Sequence, residues 1–245
     1  MIRKIVFISL IALALNCFAN EENKKWRENF VAEKKEGTLP NGWEIKATKW
    51  GVNETSFELK HRKYDPISTA IGVLKIFASK ATGALFCEPY KSVDLTKTPI
   101  LRWRWRVSTF PKGGDGRKDG KDDQAIAIYI GASDWMVKKS ISYRWETETP
   151  KGFIGDLSYA GGAVKVKWFC LRNQKSGKDK WLIEERNIAK DFKKAFGFIP
   201  KEFALSIGAN SQNTDSKSLA FIDYIEFLPL DKAKNLKIID TPDKK

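Results

Sequence analysis

A single histidine, His61, and only three cysteines leave this 245-residue chain short of the side chains on which many active sites depend. A Ser-His-Asp arrangement needs a histidine poised near neutral pH, but His61 sits between Lys60 and Arg62, and no Gly-x-Ser-x-Gly elbow occurs. Serine-hydrolase chemistry is excluded on those grounds, and zinc sites built on histidine or paired cysteines fail for the same scarcity. The glycines between Gly113 and Asp123 do not form a dinucleotide fingerprint, because a strand rather than a helix follows them. The aspartates of that loop, Asp115, Asp119, Asp122 and Asp123, suggest calcium, yet Arg117 occupies a ligand position and Ile126 stands where a bidentate carboxylate is needed. No metal and no cofactor are expected. The chain also lacks an RNA-binding aromatic signature, a Pro/Ser-rich linker and an internal repeat, so one domain without a nucleic-acid partner is expected.

At the N-terminus, Arg3 and Lys4 precede an apolar run from Ile5 to Leu15, and Cys17-Phe18-Ala19 supplies small residues at the cleavage-determining positions. Eleven residues are too few for a bilayer-spanning helix, which needs roughly 20. Residues 1–19 therefore read as a signal peptide cleaved after Ala19, giving an exported, periplasmic or secreted protein with no transmembrane segment. The alternative takes Leu15-Asn16-Cys17 as a lipobox, with Cys17 the lipid anchor. The net charge of +14, or +12 once Arg3 and Lys4 are removed, favours acidic partners such as an acidic glycan or another anionic envelope component. A lysine-rich solvated surface accounts for the same excess. Cys87 and Cys170 remain, either as one disulfide or as buried thiols, Cys170 being in step with Val164, Val166 and Trp168.

Beyond Pro40 the pattern is β. Trp43 to Lys49, Ser56 to His61, Val73 to Ser79, Ile100 to Val107, Gln124 to Gly131 and Ser140 to Thr147 are short alternating or β-branched segments separated by turn residues. Val164 to Leu171 and Trp181 to Ile188 flank a Ser176-Gly177 turn and predict a hairpin, and Phe203 to Ala209 and Leu219 to Phe227 follow as strands. Helix is expected over Glu21 to Lys35, within an N-terminal helical segment at 20–38, and over Ala189 to Phe196. The expected architecture is an antiparallel β-sandwich of jelly-roll type over 39–229, with one or two short peripheral helices and a charged tail at 230–245.

The stretch Leu101-Arg102-Trp103-Arg104-Trp105-Arg106-Val107 alternates strictly, which puts Trp103, Trp105 and Val107 on one face of a strand and three arginines on the other. If the tryptophans face the core, so do Ile126, Ile128 and Ile130, and Ile141, Tyr143 and Trp145. One shared opposite face would then collect Arg102, Arg104, Arg106, Ala127, Tyr129, Arg144 and Glu146, a groove floored by alanine in which guanidinium groups grip an anion or a sugar acid. The competing reading pairs those arginines with Asp122, Asp123, Glu146 and other acids of the chain. Carboxylates for a glycosidase or lyase are available in Glu146, Glu148, Asp156, Glu184 and Glu185, without any sign that two of them converge.

Several landmarks recur together: Leu39-Pro40-x-Gly42-Trp43, Pro99 to Val107, Asp122-Asp123 with Tyr129, Tyr143-x-Trp145, Glu185-Arg186-Asn187-Ile188-x-x-Asp191-Phe192, and Phe196-Gly197-x-x-Pro200. With these the chain resembles a bacterial family of exported proteins, the domain-of-unknown-function family 3047, over residues 39 to 228. The resemblance implies an envelope-associated β-sandwich similar in outline to galactose-binding-like jelly rolls, with no established activity. Two departures from the family pattern stand out: Ala127 where an arginine is expected, and Asn210 and Gln212 where aspartates precede Asn213-Thr214. Together these readings favour a non-catalytic module binding an acidic or polar glycan or other anion. The candidate ligand-binding residues are Arg102, Arg104, Arg106, Asp122, Asp123, Tyr129, Arg144 and Glu146. A carbohydrate-active enzyme and a structural partner of another envelope protein are the alternatives.

Overall fold

A computed structural model describes residues 26–31, 37–46, 49–61, 72–134 and 137–234. The expected signal peptide, Cys17 and the end of the charged tail lie outside the described residues. Two sheets face each other. The first contains β4 (Ser56–His61), β5 (Gly72–Ser79), β7 (Ile100–Thr109), β12 (Leu182–Asn187) and β14 (Lys217–Leu228) in the order β12-β7-β14-β5-β4, with β1 (Arg27–Glu28) added against β14. The second runs β10-β11-β9-β8-β13-β6-β2. Its members are β2 (Glu44–Lys46), β6 (Ala81–Cys87), β8 (Ile126–Asp134), β9 (Val137–Trp145), β10 (Ile154–Tyr159), β11 (Val164–Arg172) and β13 (Ala204–Asn210), with β3 (Asn53–Glu54) beside β6. Most neighbours are antiparallel; β9–β11 and β3–β6 are parallel, so the second sheet is mixed. The chain is a mainly β sandwich, as the alternation predicts.

Alternation places the inner faces correctly. Trp103, Trp105 and Val107 on β7 and Ile126, Ile128, Ile130, Ile141, Tyr143 and Trp145 on β8 and β9 are all fully buried. Rings meet across the two sheets, Trp103 stacking on Tyr143 at 5.5 Å between centroids and Trp105 lying 5.5 Å from Trp145, while along β7 itself Trp103 meets Trp105 edge-on at 5.3 Å. Such pairs add to burial a geometric preference of about 0.5–1.5 kcal/mol each, so this aromatic seam fixes how the sheets sit on one another. The helix α1 (Ile188–Phe196) is capped by Asn187, whose side chain accepts from Lys190 N at 2.9 Å, and ends at Gly197 in the left-handed region (φ 87°).

Two expectations are corrected, and the alternatives left open for the tail and the cysteines are decided. Residues 26–31 are not helical: Arg27–Glu28 pairs as a short strand with Glu226 and Ile225, and Phe30, in the left-handed region at φ 51°, is fully buried, so the four-residue spacing of Trp26 and Phe30 marks two apolar anchors of a non-helical segment. β11 and β12 do not form a hairpin, because β11 pairs with β9 and β10 while β12 pairs with β7, and the segment between them crosses from one sheet to the other. The tail is ordered at its start as a 3-10 turn, Leu230–Lys232. Cys87 and Cys170 are free and buried. They stand on β6 and β11, four strand spacings or roughly 19 Å apart across the second sheet, against the roughly 4.4–6.8 Å between Cα atoms that a disulfide spans.

Candidate functional site

The arginine row forms the outer face of the first sheet, and groups of the same chain occupy it. Arg102 is ion-paired with Glu185 on β12 and Glu226 on β14, its two neighbours in register, and donates to the Lys232 carbonyl at 2.7 Å. Lys234 N in turn donates to Glu185 Oε2 at 3.0 Å, so the start of the tail lies over this pair. Arg104 donates to Asp223 Oδ2 at 2.6 Å and lies 5.0 Å from the Trp181 ring, while Arg106 is sandwiched by Trp181 at 5.3 Å and Phe221 at 4.3 Å. The expected single face carrying Arg102, Arg104, Arg106, Tyr129, Arg144 and Glu146 does not form. β7 belongs to one sheet and β8 and β9 to the other, so the arginine row and Tyr129 lie on opposite outer surfaces of the sandwich.

The outer face of the second sheet carries instead a cleft of about 780 Å³. It crosses six strands, from Tyr159 on β10 and Val166 on β11, past Arg144 on β9 and Tyr129 on β8, to Ser206 and Gly208 on β13 and Thr82 and Ala84 on β6. Small side chains on β13 and β6 make the floor low: a Cβ on Gly208 would lie 3.2 Å from Tyr129 Cε2. Asn210 at the end of β13 and the loop residues Asp122, Gln124, Gln212, Asn213 and Lys49 form the polar wall. Trp50, next to Lys49, is fully exposed, and Tyr159 is half exposed.

Hydrogen bonds order this wall. Gln124 Nε2 donates to the Tyr129 hydroxyl at 2.8 Å, which fixes the phenol as an acceptor there and turns its own proton away from Gln124. Asn210 Nδ2 and Asn213 Nδ2 donate to the Asp122 carbonyl at 2.7 and 3.2 Å, and Asn210 Oδ1 accepts from Gln124 N at 3.1 Å. Two buried atoms at the cleft, Gln124 Oε1 and Arg144 Nε, have no hydrogen-bond partner among the described residues. Burial raises the Tyr129 phenol above its usual range, and burial with the nearby Asp122 carboxylate pushes Tyr159 up to about 12. Both are neutral hydroxyls at physiological pH.

Behind the cleft lies a caged charge network. Arg144, 2% exposed, donates to Asp122 Oδ1 at 2.6 Å and Glu146 Oε1 at 3.4 Å, with its guanidinium 4.6 Å from the Trp168 ring. Glu146, fully buried, accepts from Gly116 N and Thr149 Oγ1 at 3.2 and 3.0 Å, and burial raises its carboxyl pKa despite Arg144. Asp115 takes a two-pronged bond from Arg117 at 2.8 and 2.7 Å, and that guanidinium holds its carboxyl well below the usual range. Gly116 fits between these groups because a Cβ there would lie 3.0 Å from Trp168 and 3.2 Å from Arg144 Nη1. Asp123 accepts from Asn213 N, Thr214 N and Thr214 Oγ1, tying the 211–216 turn to the cleft.

Of the eight candidates, Asp122, Tyr129 and Arg144 line the cleft. Asp123 and Glu146 support it from behind, and the three arginines of β7 are elsewhere. The five acids considered for hydrolysis are dispersed: Glu184 binds Arg172 at 2.5 Å, Glu185 binds Arg102, Asp156 binds Lys167 at 2.5 Å, Glu148 accepts from Gln174 at 2.9 Å, and Glu146 is sealed. Among the described residues no group of three or more His, Cys, Asp or Glu is arranged to hold a metal. The Glu185 to Phe192 landmark is structural: Arg186 clamps Asp191 with two bonds of 2.8 Å, and the Tyr143 hydroxyl donates to Asp191 at 2.5 Å. Sequence reasoning missed Gln124, Tyr159, Ser206 and Lys49. The one available signal was the small outward residues in Ser206-Ile207-Gly208-Ala209-Asn210.

The chain has a low similarity to several solved structures. One is the CBM22-1 xylan-binding domain of Xyn10C from Paenibacillus barcinonensis, at 10% identity and a TM-score of 0.40 over 84% of this chain and 93% of that one. Another is the xyloglucanase domain of NopAA from Sinorhizobium fredii, at 10% identity and a TM-score of 0.46 over 82% and 98%. A third is the K1 cleaved adhesin domain of Lys-gingipain from Porphyromonas gingivalis W83, at 9% identity and a TM-score of 0.39 over 84% and 98%. No curated protein matches the sequence. The model of the family described as "Protein of unknown function (DUF3047)" matches residues 41–226, from the Gly42-Trp43 landmark through the arginine row to the last strand, and the chain belongs to that family.

Proposed function

We propose that the protein is a glycan-binding module whose site is the cleft on the outer face of the eight-stranded sheet. The observation that carries this reading is the pairing of aromatic surfaces, Tyr129 on the floor and Tyr159 at the edge, with a wall of amides and hydroxyls that both donate and accept. That mixture suits a ligand rich in hydroxyl groups, which offers donors and acceptors together with an apolar ring face. Only Lys49, Asp122 and Arg144 are charged among the cleft residues, and Arg144 already binds Asp122, so an uncharged polar glycan fits better than an acidic one. Five strand spacings, roughly 24 Å, provide room for an oligosaccharide rather than a single sugar. The reading carries no catalytic step. It places the protein outside the cytoplasmic membrane, exported by the leader over 1–19 or held there by a lipid on Cys17; no helix among the described residues is long and apolar enough to cross a membrane.

The test is affinity electrophoresis of the mature protein through neutral and acidic polysaccharides. Retention by a neutral chain is expected, with a loss of about tenfold in affinity for Tyr159→Ala and for Asn210→Ala. Equal retention of the variants, or retention by acidic chains alone, overturns the proposal.

A further inference from the structure

β11 reverses the usual orientation of its faces. Val166, Trp168 and Cys170 form a separate cluster on the outer side of the sheet, with Phe153, Leu157 and Val164 packed against it. The other side therefore carries Lys165 and Lys167, and it becomes core only at Phe169 and Leu171. In register, Lys165 stands between Lys139 on β9 and Ser158 on β10, which places two lysines side by side with no acid in their row. Like charges directly opposite one another destabilise a sheet. Lys167 does have an acid, Asp156 at 2.5 Å, but that carboxylate is 75% exposed and its pairing is correspondingly weak.

α1 covers this corner and leaves a recess of about 150 Å³ between itself and the β10–β11 edge, lined by Lys167, Lys194, Arg186 and Asp191 together with apolar groups. Three of its four charged side chains are cationic. The single carboxylate, Asp191, is clamped by Arg186 and accepts from Tyr143. Lys139 stands 5.1 Å from the Phe198 ring nearby, which adds positive charge at the margin.

We propose that this recess is a second binding site, for a tetrahedral oxyanion: phosphate or sulfate, free or carried as a substituent on a larger chain. It lies on the opposite side of β11 from the glycan cleft and is independent of it. Lys167 and Lys194 supply the accessible charge, and the buried Arg186–Asp191 pair gives them a fixed floor.

The experiment is an NMR titration of the isotopically labelled mature chain with inorganic phosphate and with sulfate, at ionic strength held constant with chloride. Saturable shifts are expected at the amides of Ile154, Lys167, Lys194 and Ala195, with none at Ser206 or Asn210. Lys167→Gln combined with Lys194→Gln should weaken binding about tenfold or more, and Lys217→Gln, on β14, should leave it unchanged. Dextran sulfate and uncharged dextran separate the sources: tighter binding of the sulfated chain than of inorganic sulfate assigns a substituent, and binding of the inorganic ion alone assigns the free anion. Absence of saturable shifts above chloride, or equal loss in Lys217→Gln, overturns the proposal. The wild-type shift map decides the matter even where the double variant fails to fold.

Discussion

Replacing Arg102 with Gln separates a structural arginine row from a ligand-binding one. Arg102 is 15% exposed at its side chain and is the shared partner of Glu185, fully buried at its side chain, and Glu226, at 10%. Glutamine removes the charge between the two carboxylates; Glu226 keeps its ion pair with Arg27 at 2.8 Å, so the loss falls mainly on the Glu185 side. Breaking a buried pair by removing one partner costs about 3–5 kcal/mol; the residual exposure here lets water screen part of that, so about 2–4 kcal/mol is expected. For a chain of this size each kcal/mol moves the melting temperature by about 2–4 °C, which places the shift at about 4–16 °C. Urea unfolding followed by tryptophan fluorescence measures it directly, since Trp103 and Trp105 share the strand. Adding Glu185→Gln should recover part of the loss, with a coupling of about 1–3 kcal/mol, because the second change removes the buried negative charge that Arg102 balances. A destabilisation below about 0.5 kcal/mol, together with lost glycan retention, would refute the reasoning and restore the arginine row as the binding face.

Asp115→Asn should cost about 1–3 kcal/mol at pH 7 through the lost bonds to Arg117 and Thr149. Its folded-state pKa is depressed, so that contribution is present above the unfolded value near 4 and fades as pH falls through the folded one; the gap between variant and parent, read by denaturation, should close in acid. Glu146 acts in the opposite sense: its raised pKa makes protonation favour the folded state, a contribution lost as pH rises through the folded value. Cys87 and Cys170 should both be silent to a thiol reagent in the native protein and both react after unfolding without reductant. Burial pushes the Cys170 thiol up to about 12 and Cys87 higher still, and a single disulfide would give no reactive thiol from this pair. Gly116→Ala should destabilise by about 1–3 kcal/mol, because the added methyl meets Trp168 and Arg144 inside a packed cage; an unchanged unfolding midpoint would show that the loop yields.

Alternation of side chains determined much of the fold without help. Period two along Leu101 to Val107, Ile126 to Ile130 and Ile141 to Trp145 marked which residues enter the core, because in a half-buried strand that choice follows from local geometry and hydrophobicity alone. The helix over Ala189 to Phe196 and its stop at Gly197 were legible for the same local reason, whereas its cap at Asn187 was hidden inside the expected strand Trp181 to Ile188. Partner choice was not. Trp103 reaches the core equally well whether Ile128 stands beside it in one sheet or opposite it in another, so the sequence could not distinguish a shared arginine–tyrosine face from two faces on opposite sides of the sandwich. The fate of Arg102 was likewise decided by Glu185 and Glu226, which lie 83 and 124 residues away and become neighbours only when β12 and β14 close on β7. The cleft is nonlocal in the same way: its residues come from six strands, and only the order of those strands brings Tyr159, Tyr129 and Ser206 onto one surface.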